Sequence, residues 1–274
     1  MERALERAES LPAPGSCNTD ALRQVRRAIM DKSVRTLYHN YISAGGPFKH
    51  EGVMPSASKF QGLWAWDSWK HAFALAGLDR DLAENSIRAL FDYQEESGMI
   101  VDVIKLSGKV NRRDSKPPLA AWAVWEIYLR TKDLTFIREM YPKLLKYHDW
   151  WYANRDHDRN GLCEYGCTDG TLKTARFESG WDNAIRFDGA QMLTNGPEAF
   201  SMDIESVDLN AYLFLEKDVL AKMARLLGET AAAGKFQAEK AKLGQQIQTT
   251  FFDAKSGFFY DVRLKDKTFV PSME

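Results

Sequence analysis

Asp182 stands between Trp181 and Asn183 in the stretch 176–187, which reads RFESGWDNAIRF. An aromatic ring beside a carboxyl excludes water and favours the protonated form, which suits a general acid working near neutral pH. Ser179-Gly180 just ahead predicts a sharp turn, because Gly reaches backbone angles closed to other residues. The same residues also fit a helix start, with the Asp as cap and the Trp in the core. A second carboxylate, Asp67, lies among Trp64, Trp66 and Trp69 in WAWDSW. A carboxylate between ring faces can accept two sugar hydroxyls while a Trp stacks below the sugar. It also fits a helix N-terminus, where the dipole favours negative charge. RRDSKPP places Arg113 and Lys116 just before a helix start, as donors to sugar hydroxyls or as solvated loop charges.

Residues 155–166, RDHDRNGLCEYG, carry a different chemistry. Asp156, Asp158 and Asn160 are spaced by two and Gly161 follows, as in the opening of an EF-hand calcium loop. Leu162 falls where a backbone carbonyl ligates, and Glu164 where position 9 supplies a carboxylate. Position 12 is Cys167 instead of Glu, so the loop departs from a true EF-hand. The pattern predicts a structural Ca2+ on oxygen ligands, with Glu205 as the candidate to complete the shell. The alternative is an Asx-rich turn without metal. Cys163 and Cys167 have no second pair to make a zinc site and read as free thiols, like Cys17.

The elements that must hold these residues read as helices. The chain has 274 residues and 45% hydrophobic content, enough for one large domain with a real core. Residues 1–18, with Pro12, Pro14 and Gly15, read as a flexible arm, and 19–274 as the domain. A helix follows from Asn18 or Thr19 to Gly45-Gly46, with Leu22, Val25, Ile29, Leu37 and Tyr41 on one side. Further helices are expected in the second half of 62–77, over 80–97, and from Pro117 to about Thr131. A short turn over 134–140 precedes a helix opened by Pro142, and two long helices span about 203–227 and 229–250. The polar loop 99–116 and the long segment 155–202 separate them, and 258–270 alternates like a short hairpin. No parallel-strand pattern appears, so the fold class is all-α. Eight Trp lie between positions 64 and 181, and most are expected in the core. Lys+Arg number 37 against 38 Asp+Glu, with no basic stripe to suit nucleic acid. No apolar run reaches a membrane span, and the N-terminus lacks a signal-peptide core, which suggests a cytoplasmic protein. A periplasmic or secreted place fits if residues precede Met1.

Taken in order, WAWDSWKHA, SKPPLAAWAVWEIY, EMYPKLLKYHDWW, NRDHDRNGLCEYG, ESGWDNAIRF and ESVDLNAYLFLEK resemble the catalytic domain of glycoside hydrolase family 63. The resemblance runs from about Asp20 to the last residues, and the ESGWD stretch is also similar to trehalases. It implies an (α/α)6 barrel of the six-hairpin type and an inverting α-glucosidase acting on α-linked glucosides or oligosaccharides. It puts the general acid on Asp182 and the grip on the non-reducing-end sugar on Asp67. Trp64, Trp66 and Lys116 fall on stretches that line that subsite, and Trp181 adjoins the acid. The family's calcium loop supports Asp156, Asp158, Asn160, Leu162 and Glu164 as ligands. Lys116 stands where trehalases and mannosylglycerate hydrolases have Gln, which points to the α-glucosidase branch. The alternatives are a trehalase or mannosylglycerate hydrolase-like enzyme, or a non-catalytic sugar-binding fragment. Inversion also needs a second carboxylate as base, and the resemblance puts it beyond Glu274. The barrel is then expected to be incomplete in this chain, inactive alone and prone to self-association.

Overall fold

In the computed structural model, which describes residues 6–7 and 20–272, the chain folds as packed helices joined by small antiparallel sheets. The arm expected over 1–18 lies outside the described residues, except Glu6 and Arg7. Those two are helical, and Arg7 donates to the Leu78 carbonyl at 2.9 Å.

Helix α1 spans Asp20–His39 and stops short of Gly45, because Tyr41–Ile42 (β1) pairs with Gly52–Val53 (β2). Its core contacts lie at Met30, Val34, Leu37 and Tyr38. Leu22, Val25, Ile29 and Tyr41, which the spacing put on one side with Leu37, are exposed. Helix α2, Ala65–Leu75, carries Asp67 in its first turn and buries Trp69, Ala72 and Leu75. Asp79 caps α3, Arg80–Phe91, by accepting from Leu82 N–H at 3.2 Å, a bond that satisfies an orphan donor. This helix ends six residues earlier than expected. Gly98 serves a later turn, where a Cβ would stand 2.2 Å from the Lys146 carbonyl oxygen.

Helix α4, Ala120–Thr131, starts after the Pro117-Pro118 pair. Pro142, expected to open a helix, sits inside α5, Leu134–Asn154. An interior Pro removes one backbone hydrogen bond. The Asp133 cap and the burial of Phe136, Ile137 and Met140 carry the helix through it. Helix α6 is short, Leu172–Ser179, and α7, Val207–Leu227, and α8, Thr230–Phe251, form a hairpin. Gly228 turns it at φ 83, a left-handed cap. Helix α2 packs on α3 and α4, α4 on α5 and α7, and α5 on α7. One core results, with Trp69, Trp151, Tyr147, Phe136 and Leu90 fully buried.

The loops are more ordered than their polarity predicts. Within 99–116, Val103–Lys105 (β4) and Val110–Asn111 (β5) form a hairpin that pairs with Gly62–Trp64 (β3). Gly166–Cys167 (β6), Met192–Gly196 (β7) and Ala199–Met202 (β8) make a second sheet in the order β6-β8-β7. Ile204–Glu205 (β9) receives the hairpin expected near the end of the chain. That hairpin follows Phe252–Asp253 (β10) and Phe258–Phe259 (β11), and its strands are Asp261–Arg263 (β12) and Phe269–Val270 (β13). No helix among the described residues is long and apolar enough to cross a membrane.

Candidate active site

Helix α6 presents the acid stretch. Thr171 caps its start, accepting from Thr174 N–H at 3.3 Å. Gly180 ends it at φ 72, its N–H on the Phe177 carbonyl at 3.1 Å. The chain reverses there as the Ser-Gly pair predicts, and Ser179 Oγ accepts from Trp181 N–H at 3.0 Å. Asp182 emerges just beyond, exposed, and so stands after a helix end instead of capping a helix start. The Trp181 ring is 46% exposed, so the water-excluding wall expected beside the acid is not formed by it.

Buried contacts pin the end of α6 from three sides. Glu178, fully buried, takes the Arg155 guanidinium on both oxygens at 2.7 and 2.8 Å. It also accepts from the backbone N–H of Gly166 at 2.7 Å and of Ser115 at 3.2 Å. Lys116 donates to the Phe177 carbonyl and pairs with Asp102 at 3.2 Å and Asp114 at 3.7 Å. Gly180 packs on Trp66 so closely that a Cβ would stand 2.4 Å from the ring's Cζ2. The Lys70 ammonium lies 3.4 Å from the same ring's centroid. Trp66 and Lys116, expected to touch sugar, are therefore largely spent on holding the acid loop.

A cleft of about 720 Å³ opens beside Asp182. Trp64, Arg113 and Lys116 line it with Asp182, together with Asp102 and the β4–β5 hairpin. Trp64 meets Phe60 edge-on at 5.5 Å. Arg113 donates to Asn111 at 3.1 Å and remains 56% exposed at its side chain. Asp67, Trp66 and Trp181 are not on this lining. Burial raises the Asp67 carboxyl above the usual range, opposed by the charges of His71, Lys70 and Lys116. Burial likewise raises Asp102, opposed by Lys116 and by Asn111, which donates to it at 2.8 Å. Asp114 is pushed up to about 8, by burial first and by the Asp102 charge second. Sequence reasoning missed Asp102, Asp114 and the Arg155–Glu178 pair. The alternation in VDVIKLSGKV was the available signal for the hairpin that carries Asp102.

The 156–164 loop brings a second set together. Oxygens of Asp156, Asp158 and Glu164 lie within 4.8 Å of one another. Gly161, at φ 93, turns the loop and donates to Asp156 at 2.9 Å. Asn160 donates to Asp158 at 3.1 Å and to Glu205 Oε1 at 2.6 Å, which ties Glu205 to the loop. Leu162 is buried, its N–H on Asn160 Oδ1 at 2.7 Å. Around this loop the buried oxygens Asp156 Oδ1, Glu164 Oε1 and Glu205 Oε2 have no hydrogen-bond partner among the described residues. Buried acceptors normally find donors. The unmet oxygens fit a hard cation, which takes oxygen ligands of this kind. Burial raises both Glu164 and Asp156 above the usual carboxylate range.

Residues 60–274 match the mannosylglycerate hydrolase MGH1-like glycoside hydrolase domain. The chain belongs to this family. The chain is 25% identical over 271 residues to a trehalase of Dictyostelium discoideum, covering 84% of this chain and 44% of that protein. It is 27% identical over 159 residues to the mannosylglycerate hydrolase of Thermus thermophilus, covering 50% and 36%. Among solved structures it resembles a family 63 mannosylglycerate hydrolase of Thermus thermophilus in complex with Tris. The TM-score is 0.70 at 20% identity, over 88% of this chain and 69% of that one. Neutral trehalase Nth1 of Saccharomyces cerevisiae gives 0.62 at 15% identity, over 95% and 64%. The chain thus has the six-hairpin glycosidase fold and spans less than half the length of the sequence relatives it matches. In this MGH1-like domain the exposed carboxyl of Asp182 faces a cleft of sugar size, on a loop held by buried partners. Such a group can pass a proton to an atom brought against it.

Proposed function

We propose that this chain carries the acid side of an inverting glycosidase that cleaves α-linked glucosides or oligosaccharides. Asp182 protonates the leaving glycosidic oxygen, and Trp64, on the same cleft lining, stacks on the sugar, while Asp67 lies off that lining. The observation that carries this reading is the position of Asp182, exposed after the Gly180 reversal and opening on the cleft that Trp64, Arg113 and Lys116 line. Family membership supports the chemical class. Inversion needs a base roughly 6.5–9.5 Å from the acid, with water between. Nearby carboxylates are committed elsewhere: Glu178 to Arg155, Asp188 to Arg176 at 2.6 Å, and Glu205 to the oxygen cluster. The base is assigned to none of them. A structural Ca2+ on Asp156, Asp158, Asn160, Leu162, Glu164 and Glu205 belongs to the same reading, as a brace for the loop and not a reactant.

A second reading is favoured by the cleft's charge. Lys105, Lys109, Arg112 and Arg113 line it, and Lys105 and Lys109 have no ion-pair partner among the described residues. A cationic wall suits a leaving group bearing a carboxylate, as in mannosylglycerate. Trehalose, α-linked glucose disaccharides and mannosylglycerate, assayed side by side in a full-length parent protein with the first-formed anomer of the non-reducing sugar followed by proton NMR, test both readings. The first predicts turnover of α-glucosides with the β-anomer released first; the second predicts preference for mannosylglycerate, weakened by salt. Release of the attacked sugar as its α-anomer, which for trehalose means no β-glucose at first, would overturn inversion.

A further inference from the structure

Lys267 reaches the oxygen cluster from the turn between β12 and β13. Its φ is 55, a left-handed backbone that side chains other than Gly rarely adopt. The turn fixes that conformation. Lys267 N–H donates to the Arg263 carbonyl at 3.0 Å, and Asp266 accepts from Thr268 N–H at 3.0 Å and from its hydroxyl at 2.6 Å. From there the Lys267 ammonium sits 2.9 Å from Glu205 Oε1 and 3.8 Å from Asp158 Oδ2. Glu205 is fully buried, and its other oxygen is one of those without a partner among the described residues.

The ammonium therefore stands beside Asp158, whose oxygen lies within 4.8 Å of those of Asp156 and Glu164, and against Glu205, which Asn160 ties to the loop. One positive charge faces four carboxylates, which leaves room for a divalent ion. That ion would meet Lys267 as a like charge across a few ångströms. We propose that Lys267 is a tethered counter-ion that holds the 156–164 loop without metal and competes with a divalent cation for Asp158 and Glu205. The loop's calcium affinity is then set from the β12–β13 turn, far away in sequence. This rests on the reading of the loop as a calcium site.

Calorimetric calcium titration of the protein, its Lys267→Met variant and its Lys267→Arg variant tests it, with melting temperatures in chelator and in calcium. Lys267→Met should bind calcium about tenfold more tightly or better, since a unit charge beside the ion is removed. It should also melt lower in chelator, so that calcium raises its melting temperature more than it raises the parent's. Lys267→Arg, keeping the charge, should resemble the parent. A Lys267→Met protein that folds only in calcium supports the proposal, and one that folds in neither condition overturns it, because the ion should replace the lost charge. Calcium binding unchanged or weakened by Lys267→Met overturns the proposal alone. So does Lys267→Arg binding as tightly as Lys267→Met, which would trace the effect to the turn. No calcium heat in any of the three overturns the calcium reading and this proposal together.

Discussion

Lys116 and its neighbours show how the site divides labour at the residue scale. The lysine was a candidate sugar donor on sequence grounds, yet it is 5% exposed and bound to Asp102, Asp114 and the Phe177 carbonyl. One ammonium for two buried carboxylates leaves Asp114 protonated over much of the neutral range, its carboxyl pushed from 3.8 to about 8. A carboxyl whose folded pKa is raised contributes stability that is present below its unfolded value and lost as pH rises through the folded one. Asp114 should therefore make the protein less stable as pH goes from about 4 to about 8. Asp114→Asn should flatten that part of the curve, measured as urea midpoints across the range; an unaltered slope would count against the cluster. Glu178 is satisfied by four donors, and Glu178→Ala leaves Arg155 buried and unpaired. A loss of about 3–5 kcal/mol in unfolding free energy is expected. A loss below about 1 kcal/mol, the level of an exposed pair, would refute the pin.

At the scale of elements, the turn after α6 is where sequence and structure agree best. Ser179-Gly180 called for a reversal, and Gly180 adopts φ 72 against the Trp66 ring. Gly180→Ala adds both backbone strain and a clash with a rigid ring, and should cost about 1–3 kcal/mol. Trp66→Ala in the same protein should recover part of that loss, because contacting sites couple. Strict additivity of the two losses would place Trp66 away from the loop. Helices α2, α3, α4, α7 and α8 were legible from apolar spacing and from breakers such as Pro117-Pro118 and Gly228, while α6 stayed unread inside the long segment 155–202. Pro142 misled, since a well-capped first half of α5 outweighs one missing hydrogen bond. The outward side of α1 misled too, because periodicity says which residues share a face and not what packs on it. The β4–β5 hairpin stayed hidden in a polar loop, as its pairing with β3 is a contact between segments some forty residues apart. The carboxylate cluster of the loop at 156–164 was legible from residue type and spacing. The commitments of Trp66 and Lys116 were not, because they depend on tertiary neighbours.

Across the whole molecule, Arg155 connects the two functional regions. It immediately precedes the oxygen cluster, and its guanidinium holds Glu178, four residues before Asp182. Ordering of the 156–164 loop should therefore be felt at the acid loop. Chelator should lower the melting temperature, calcium should restore it, and Glu164→Gln should abolish the response. Hydrogen exchange at Gly166 and Ser115, whose N–H groups bond Glu178, should rise in parallel when calcium is removed. Protection that stays constant at both amides would separate the two regions.

The central claim is that Asp182 donates the proton to the leaving oxygen, and Asp182→Asn tests it most directly. The variant keeps the size of the side chain on an exposed turn, so its melting temperature should match the parent's. In a full-length parent protein, kcat on an unactivated α-glycoside should fall by about 10²–10⁴-fold, the usual worth of a general acid. An aryl α-glycoside with an acidic phenol needs little protonation and should lose far less. Equal and small losses on both substrates, with the fold intact, would contradict the account and make Asp182 a surface residue of the turn.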